Sequence, residues 1–163
     1  MYRVARLREF VAVSMVALGI AACSGAGATP SPAAGSPSPV AAGGAIEVKL
    51  QEWSVLPASD SAPAGSVTFQ VTNTGPEDVH EFVVVKTDLD PGSLPTEETG
   101  AVSEAGTGLE VIGEIEDVAV GSTQELTVTL APGKYVLLCN IYDETEKEAH
   151  YKMGMRTPFT ING

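Results

Sequence analysis

Apolar and polar residues alternate along several short segments of this chain. In segments 46–51 and 67–72 every second residue is a large apolar one, and Thr123 to Leu130 repeats the pattern. A period of two predicts β-strands with one buried and one solvent-facing side. The pattern therefore predicts a β-rich domain rather than a helical one.

Other segments are more continuously apolar. His80 to Lys86 and Lys134 to Asn140 are rich enough in apolar residues to lie between two packed layers, and Thr157 to Asn162 can close a sheet. Turn-forming residues separate the strands, as in Pro63-Ala64-Gly65, Asn73-Thr74-Gly75-Pro76 and Ala131-Pro132-Gly133. Short strands at this spacing favour an all-β, antiparallel sandwich.

The region from Asp88 to Glu116 is less regular. Asp90-Pro91-Gly92 and the glycines at 100, 106 and 108 interrupt any long element. Too few apolar residues recur in Ser103 to Glu110 to decide for or against a short helix. We interpret the region as an insertion between strands.

The N-terminus has the features of an export signal. Three arginines precede 13 uncharged residues, Phe10 to Ala22, which are too few for a comfortable membrane span. The sequence Ile20-Ala21-Ala22-Cys23 resembles the lipobox of bacterial lipoproteins, which implies cleavage before Cys23 and acylation of its thiol. The alternative is an ordinary signal peptide that leaves Cys23 as a free thiol.

Residues 24–45 are almost wholly Gly, Ala, Ser, Thr and Pro, which cannot form a core and indicate a flexible tether. We therefore divide the chain into a lipoprotein signal peptide (1–22), a lipidated cysteine with its tether (23–45) and one compact domain (46–163). The expected location is outside the cytoplasm, on the bacterial cell membrane, to which the lipid at Cys23 anchors the protein.

Charge narrows the choice of partners. The whole chain carries a formal charge of −12, and the predicted mature form has 6 basic and 20 acidic residues. A charge of this sign disfavours nucleic acid and anionic membrane surfaces as direct partners. The negative charge has two possible uses: it keeps the protein soluble, or it attracts a basic redox partner.

Few residues can carry chemistry. After Cys23 the chain has one cysteine and two histidines, namely Cys139, His80 and His150, and methionines 153 and 155 follow His150 closely. Two imidazoles, a thiolate and a weak thioether suit an electron-transferring copper site. Each residue alone is more typical of ordinary packing, and only their combination indicates a metal.

The ordered motifs resemble the cupredoxin family over essentially all of 46–163. The matching features are Gly65-Ser66-Val67-Thr68-Phe69, Asn73, His80-Glu81-Phe82, Gly133-Lys134-Tyr135, Cys139 and His150 through Met155. The resemblance implies a Greek-key β-sandwich with one type 1 copper ion, bound by His80, Cys139, His150 and Met155. Met155 fits the plastocyanin-like spacing better than Met153 does. The apolar residues Phe82, Leu138 and Phe159 are expected to surround the site.

Two features depart from the family pattern. Ten residues, Asn140 to Ala149, separate Cys139 from His150, where small cupredoxins have only a few. We expect this polar stretch to bulge into solvent while its ends meet at the metal, either as a docking surface or as a simple excursion. The second is Glu81, since several family members have an amide side chain at this position.

Three functions remain open. The first is a membrane-tethered carrier of single electrons between redox partners, and the second is a copper protein for delivery, storage or resistance. The third is a metal-free binding module on the same sandwich. An enzyme is not expected, because two histidines cannot serve both a copper ion and a hydrolytic triad, and no second histidine cluster exists for a multicopper centre.

Overall fold

The computed structural model describes residues 44–163. The predicted signal peptide, the lipidation of Cys23 and nearly all of the predicted tether lie outside the described residues. Within 44–163 no helix is long and apolar enough to cross a bilayer.

The described residues form eleven β-strands and one short helix. In chain order these are β1 (Ile46–Gln51), β2 (Ser54–Pro57), β3 (Ser61–Pro63), β4 (Gly65–Asn73), β5 (His80–Lys86), β6 (Glu110–Val118), β7 (Thr123–Leu130), β8 (Gly133–Leu138), β9 (Tyr142–Asp143), β10 (Glu148–Ala149), α1 (His150–Met153) and β11 (Arg156–Asn162).

The strands build two main sheets. One has the order β2-β1-β4-β7 and the other β3-β11-β8-β5-β6, while β9 and β10 form a small separate hairpin. The chain crosses repeatedly between the two sheets, as in a Greek key. The predicted all-β sandwich is confirmed. Its sheets are not purely antiparallel, however, because β1 pairs with β4 and β11 with β3 in the parallel direction.

The main core lies between the two sheets. Phe69 of β4 contacts Phe82 of β5 and Phe159 of β11, with ring centroids 5.3 Å and 5.6 Å apart. All three rings are almost completely buried. Edge and tilted contacts of this kind are the favoured geometry for aromatic pairs. The alternation in β1 and β4 thus directs Val48, Leu50 and their equivalents into one shared core.

A second apolar cluster covers the outer face of the β5 and β8 strands. Val83 and Val85 point into it, whereas Phe82 and Val84 face the main core. The cover comes from the segment between β5 and β6, which contributes Leu94. Burial on both faces explains why β5 is continuously apolar in sequence.

Two predicted boundaries are wrong. The irregular region was expected to extend to Glu116, but β6 begins at Glu110, and Ser103 to Glu110 forms no helix. The strand expected over Lys134 to Asn140 is β8, which ends at Leu138. The following residue, Cys139, nevertheless keeps one bond to the sheet edge, since its N–H donates to the carbonyl oxygen of Met155 at 3.0 Å.

Candidate metal centre

His80 is the first residue of β5, and the loop that precedes it holds it at the end of this inner strand. The side chain of Asn73 stabilises this loop. Its amide nitrogen donates to the carbonyl oxygens of Asp78 and Val118, and its oxygen accepts from the N–H of Gly75. Asn73 is fully buried. Asn73 thus ties the loop to the end of β6 and fixes the backbone that leads into His80.

The three strongest predicted donors converge at one end of the sandwich. The Nδ1 atoms of His80 and His150 are 3.2 Å apart, and Cys139 Sγ is 3.4 Å from His150 Nδ1. One ligand atom from each residue lies within 4.8 Å of the others. The side chains come from positions 80, 139 and 150, so only the fold brings them together.

Cys139 lies in an environment that opposes its ionisation when no metal is bound. Burial raises the pKa of its thiol to about 12, despite hydrogen bonds from the backbone N–H groups of Glu81 and Ile141. The Glu81 N–H lies 3.2 Å from Sγ. To bind a metal ion, the Cys139 thiol would have to lose its proton, and the Glu81 N–H would then stabilise the thiolate.

The long insertion before His150 is a closed hairpin. Strands β9 and β10 pair, residues 144–147 at the tip are exposed, and His150 N–H donates to the carbonyl oxygen of Ile141 at 2.9 Å. As expected, the stretch from Asn140 to Ala149 projects into solvent while its two ends lie beside each other at the site. Loop length therefore does not separate Cys139 from His150.

The two candidate methionines occupy different environments. Met155 is completely buried, whereas Met153 is 42% exposed at the end of α1. The N–H of Met155 donates to the His150 carbonyl at 3.1 Å, so its backbone is fixed beside both His150 and Cys139. The structure thus places the backbone of Met155 beside His150 and Cys139 and its side chain in the main core with Cys139, whereas Met153 lies at the surface.

Both histidines are disposed to remain neutral. Burial lowers the pKa of His80, and the neighbouring His150 lowers it further. Burial likewise lowers the pKa of His150. Neutral imidazoles are the form that binds metal ions, because a ring nitrogen must keep its lone pair free.

The arrangement fits a single metal ion. Metal–nitrogen bonds of about 2.0 Å, as found in zinc sites, can join two nitrogens 3.2 Å apart, because the two bond lengths together exceed the separation. Two imidazoles, a thiol and a thioether are soft or borderline donors. Such a set suits copper better than magnesium or calcium, which prefer oxygen.

Of the apolar residues expected around the site, Phe82 and Phe159 belong to the main core, together with Cys139 and Met155. Leu138 does not, since its side chain packs in the outer cluster with Val83. Adjacent residues of a strand point to opposite faces, so Leu138 faces away from the side on which Cys139 packs.

Sequence reasoning missed two residues in the turn between β1 and β2. The ring of Trp53 packs edge-on against His150, with centroids 5.0 Å apart. The carboxylate of Glu52 lies 3.7 Å from His80 Nε2. Trp53 is the only tryptophan of the chain, which is a weak signal. No sequence feature near Glu52 indicates its role, because the residues that it contacts are brought close to it by sheet pairing.

No protein-family model matches the chain, and no significant match exists among curated proteins. Solved structures do match. Reduced auracyanin from the photosynthetic bacterium Roseiflexus castenholzii has a TM-score of 0.50 and 23% identity, covering 72% of this chain and 95% of its own. Auracyanin B also has a TM-score of 0.50, at 19% identity, covering 73% and 88%. Auracyanin A of Chloroflexus aurantiacus, described as a "blue" copper protein, has a TM-score of 0.49 and 19% identity, covering 72% and 98%.

The first two matches span nearly the whole of the auracyanin chains. Together with the two-sheet topology, they show that this protein has the cupredoxin fold. At such identities the likeness establishes the architecture. Function must be argued from the site itself.

Proposed function

We propose that this protein is a type 1 copper protein that carries single electrons between redox partners outside the cytoplasm, anchored to the membrane by a lipid on Cys23. The observation that carries this proposal is the convergence of His80, Cys139 and His150 within 4.8 Å of one another, all nearly inaccessible to solvent. A buried imidazole–thiol–imidazole group beside a buried thioether is the donor set of an electron-transfer copper site.

Each protein group has a defined part. In a copper site His80 and His150 would supply neutral nitrogens, Cys139 would supply a thiolate after losing its proton, and Met155 would supply a weak thioether sulfur. Copper contributes a reversible one-electron change between Cu(II) and Cu(I). Packing around the donors excludes water, because His80, Cys139 and His150 are at most 2% exposed.

The positions of the donors depend on rigid elements rather than on loop flexibility. His80 starts β5, Cys139 directly follows β8, and Met155 directly precedes β11. Strands β11, β8 and β5 are neighbours in one sheet. Donors fixed in this way move little when the charge of the site changes, and a small rearrangement favours rapid electron transfer.

Spectroscopy on the full chain tests the copper proposal. One equivalent of Cu(II) should give an intense thiolate-to-copper visible band that is lost and regained on reversible one-electron reduction. Cys139→Ser should abolish the band, and Cys23→Ser, which removes the other cysteine, should retain it. No copper uptake would refute both metal functions. Copper that binds without reversible reduction, and that passes readily to a chelator, would favour delivery or storage over electron transfer.

Anchoring needs its own measurement. Growth with a labelled fatty acid should label the wild type and leave Cys23→Ser unlabelled, because acylation requires the thiol. A wild type that takes up no label would refute lipid anchoring at this residue.

We also propose that the redox partner is basic where it docks. A groove beside His150 has five carboxylate residues in its lining and no lysine or arginine; the lining consists of Glu77, Asp78, Val79, Asp117, Ile141, Tyr142, Asp143, Glu144, Thr145 and His150. Charge of one sign around a redox site accelerates association with the opposite sign.

Rates of electron exchange with small redox complexes test the partner proposal. Reaction with a cationic complex should slow as salt is added, and reaction with an anionic complex should accelerate. The double variant Glu77→Gln, Glu144→Gln should weaken both salt dependences. Equal salt dependence in the variant and the wild type would exclude the groove as the steering surface.

A further inference from the structure

Glu52, in the turn between β1 and β2, has its carboxylate beside the first metal-ligand candidate. Its Oε1 lies 3.7 Å from His80 Nε2. The same oxygen accepts hydrogen bonds from the backbone N–H groups of Glu77 at 3.1 Å and Asp78 at 2.7 Å. Glu52 is therefore fixed to the loop that leads into His80.

Two atoms at this contact lack partners. Glu52 Oε2 and His80 Nε2 are the buried side-chain nitrogen and oxygen atoms that form no hydrogen bond within residues 44–163. Leaving a buried polar atom without a partner destabilises the fold, and does so more for a charged group. Such atoms are rare in folded proteins, and each calls for an explanation.

The imidazole tautomer supplies the explanation. His80 directs Nδ1 at the other donors, 3.2 Å from His150 Nδ1. A neutral imidazole carries one N–H, so metal binding at Nδ1 leaves the hydrogen on Nε2. That hydrogen has one carboxylate beside it, namely Glu52. An anionic acceptor is the strongest partner that a ring N–H can have.

We propose that Glu52 is a positioning residue of the metal centre, whose carboxylate accepts the Nε2–H of His80 when Nδ1 binds the metal. The inference rests on the proposed copper function. A closure of about 0.8 Å brings the 3.7 Å separation to an ordinary hydrogen-bond length. The bond fixes the ring orientation and the tautomer, as carboxylates do for metal-binding histidines elsewhere.

The negative charge has a second consequence. A carboxylate hydrogen-bonded to a ligand makes that ligand a stronger donor, and Cu(II) gains more from it than Cu(I) does because its charge is greater. Glu52 thus lowers the redox potential of the site. A residue that merely supported the fold would weaken the binding of both oxidation states equally and leave the potential unchanged.

The test compares Glu52→Gln with the control Glu47→Gln in the full chain. Both variants exchange one carboxylate for an amide, but Glu47 is an exposed residue of β1. Glu52→Gln should lower Cu(II) affinity about 10- to 100-fold. Its Cu(I) affinity should fall less, and each tenfold difference raises the potential by about 59 mV. Glu47→Gln should resemble the wild type in both affinities.

A measurement on the wild-type chain keeps the inference testable if Glu52→Gln does not fold. In the zinc-loaded protein, which is diamagnetic, nuclear magnetic resonance should show a His80 Nε2–H that exchanges slowly with water and is shifted downfield. Rapid exchange of that hydrogen would overturn the inference. So would a Glu52→Gln potential equal to that of Glu47→Gln while the wild type shows its copper band. A wild type that takes up no copper would overturn the proposed function together with the inference.

Discussion

The hydroxyl of Tyr151 offers a sharp test of how the segment between β5 and β6 is held against the metal centre. Tyr151 directly follows His150 and is 1% exposed. Its hydroxyl accepts the N–H of Leu94 at 3.0 Å and donates to the carbonyl oxygen of Pro91 at 2.7 Å. Tyr151→Phe removes both bonds and changes little else in the side-chain volume.

The loss in free energy of unfolding can be estimated from the two groups that lose their hydrogen-bond partner. The bond to Pro91 contributes about 1 kcal/mol net, and the buried N–H of Leu94 left without an acceptor costs about 1–3 kcal/mol. We expect the free energy of unfolding to fall by about 2–4 kcal/mol. The corresponding decrease in Tm is about 8–15 °C for a domain of this size.

Urea denaturation of the metal-free protein measures this difference, provided the slope of the transition is unchanged between variants. Tyr135→Phe is the control. Its hydroxyl donates to the carbonyl oxygen of Ala131, an exposed residue, so its removal leaves no buried N–H and should cost about 1 kcal/mol or less. Equal losses for Tyr151→Phe and Tyr135→Phe would refute the reasoning.

Three further predictions concern charge, the axial ligand and the insertion. Burial, reinforced by the carboxylates of Glu104 and Glu114, raises the pKa of Glu81 to about 7, against 4.5 for an ordinary glutamate. The folded state therefore holds a proton that the unfolded state loses first, so the stability of the metal-free wild type relative to Glu81→Gln should fall between about pH 4.5 and 7, by about 1–2 kcal/mol after allowance for solvent screening. Urea titrations of both chains at several pH values measure this difference, in which the titration of His80 and His150 cancels; a difference that does not change with pH would contradict the prediction. Met155→Leu should shift the copper band and the redox potential with a stability change below about 1.5 kcal/mol, whereas Met153→Leu should change neither; identical spectra for both would exclude Met155 as the axial ligand. Replacing residues 144–147 by Asn-Gly should leave copper binding intact, because a two-residue turn closes the β9–β10 hairpin in its existing register; a folded variant without the visible band would contradict this.

Most strands could be predicted because their signal is local. Strands β1, β4 and β7 alternate cleanly, and β5 is a single apolar run. Strand β6 was missed because acidic residues interrupt its apolar positions and its pairing with β5 contains register irregularities, which break the period of two. The parallel pairs were also not predictable, since they depend on how the chain crosses between sheets rather than on any one segment.

The same distinction applies to the site. The rarity of cysteine and histidine was sufficient to select Cys139, His80 and His150 as candidates. The residues around these candidates could not be selected in this way. Glu52, for example, contacts His80 only because β1 pairs with β4 and the ends of these two strands lie beside each other. Glu81 illustrates a further limit. Its backbone N–H rather than its side chain contacts the Cys139 sulfur, so the residue type at this position gave no indication of the contact.

Sheet topology explains why a ten-residue insertion between Cys139 and His150 is compatible with the site. Strand β8 is antiparallel to both of its neighbours, so the end of β8 and the starts of β5 and β11 lie together at the same end of these strands. Cys139, His80 and Met155 occupy those three positions. His150 is joined to the same end by the hydrogen bonds of its N–H to Ile141 and of its carbonyl to Met155. Because these bonds close the ring of backbone around the donors, the hairpin tip can grow or shrink in solvent without moving a ligand, and its entropic cost rises only by about 0.6 kcal/mol per doubling of length.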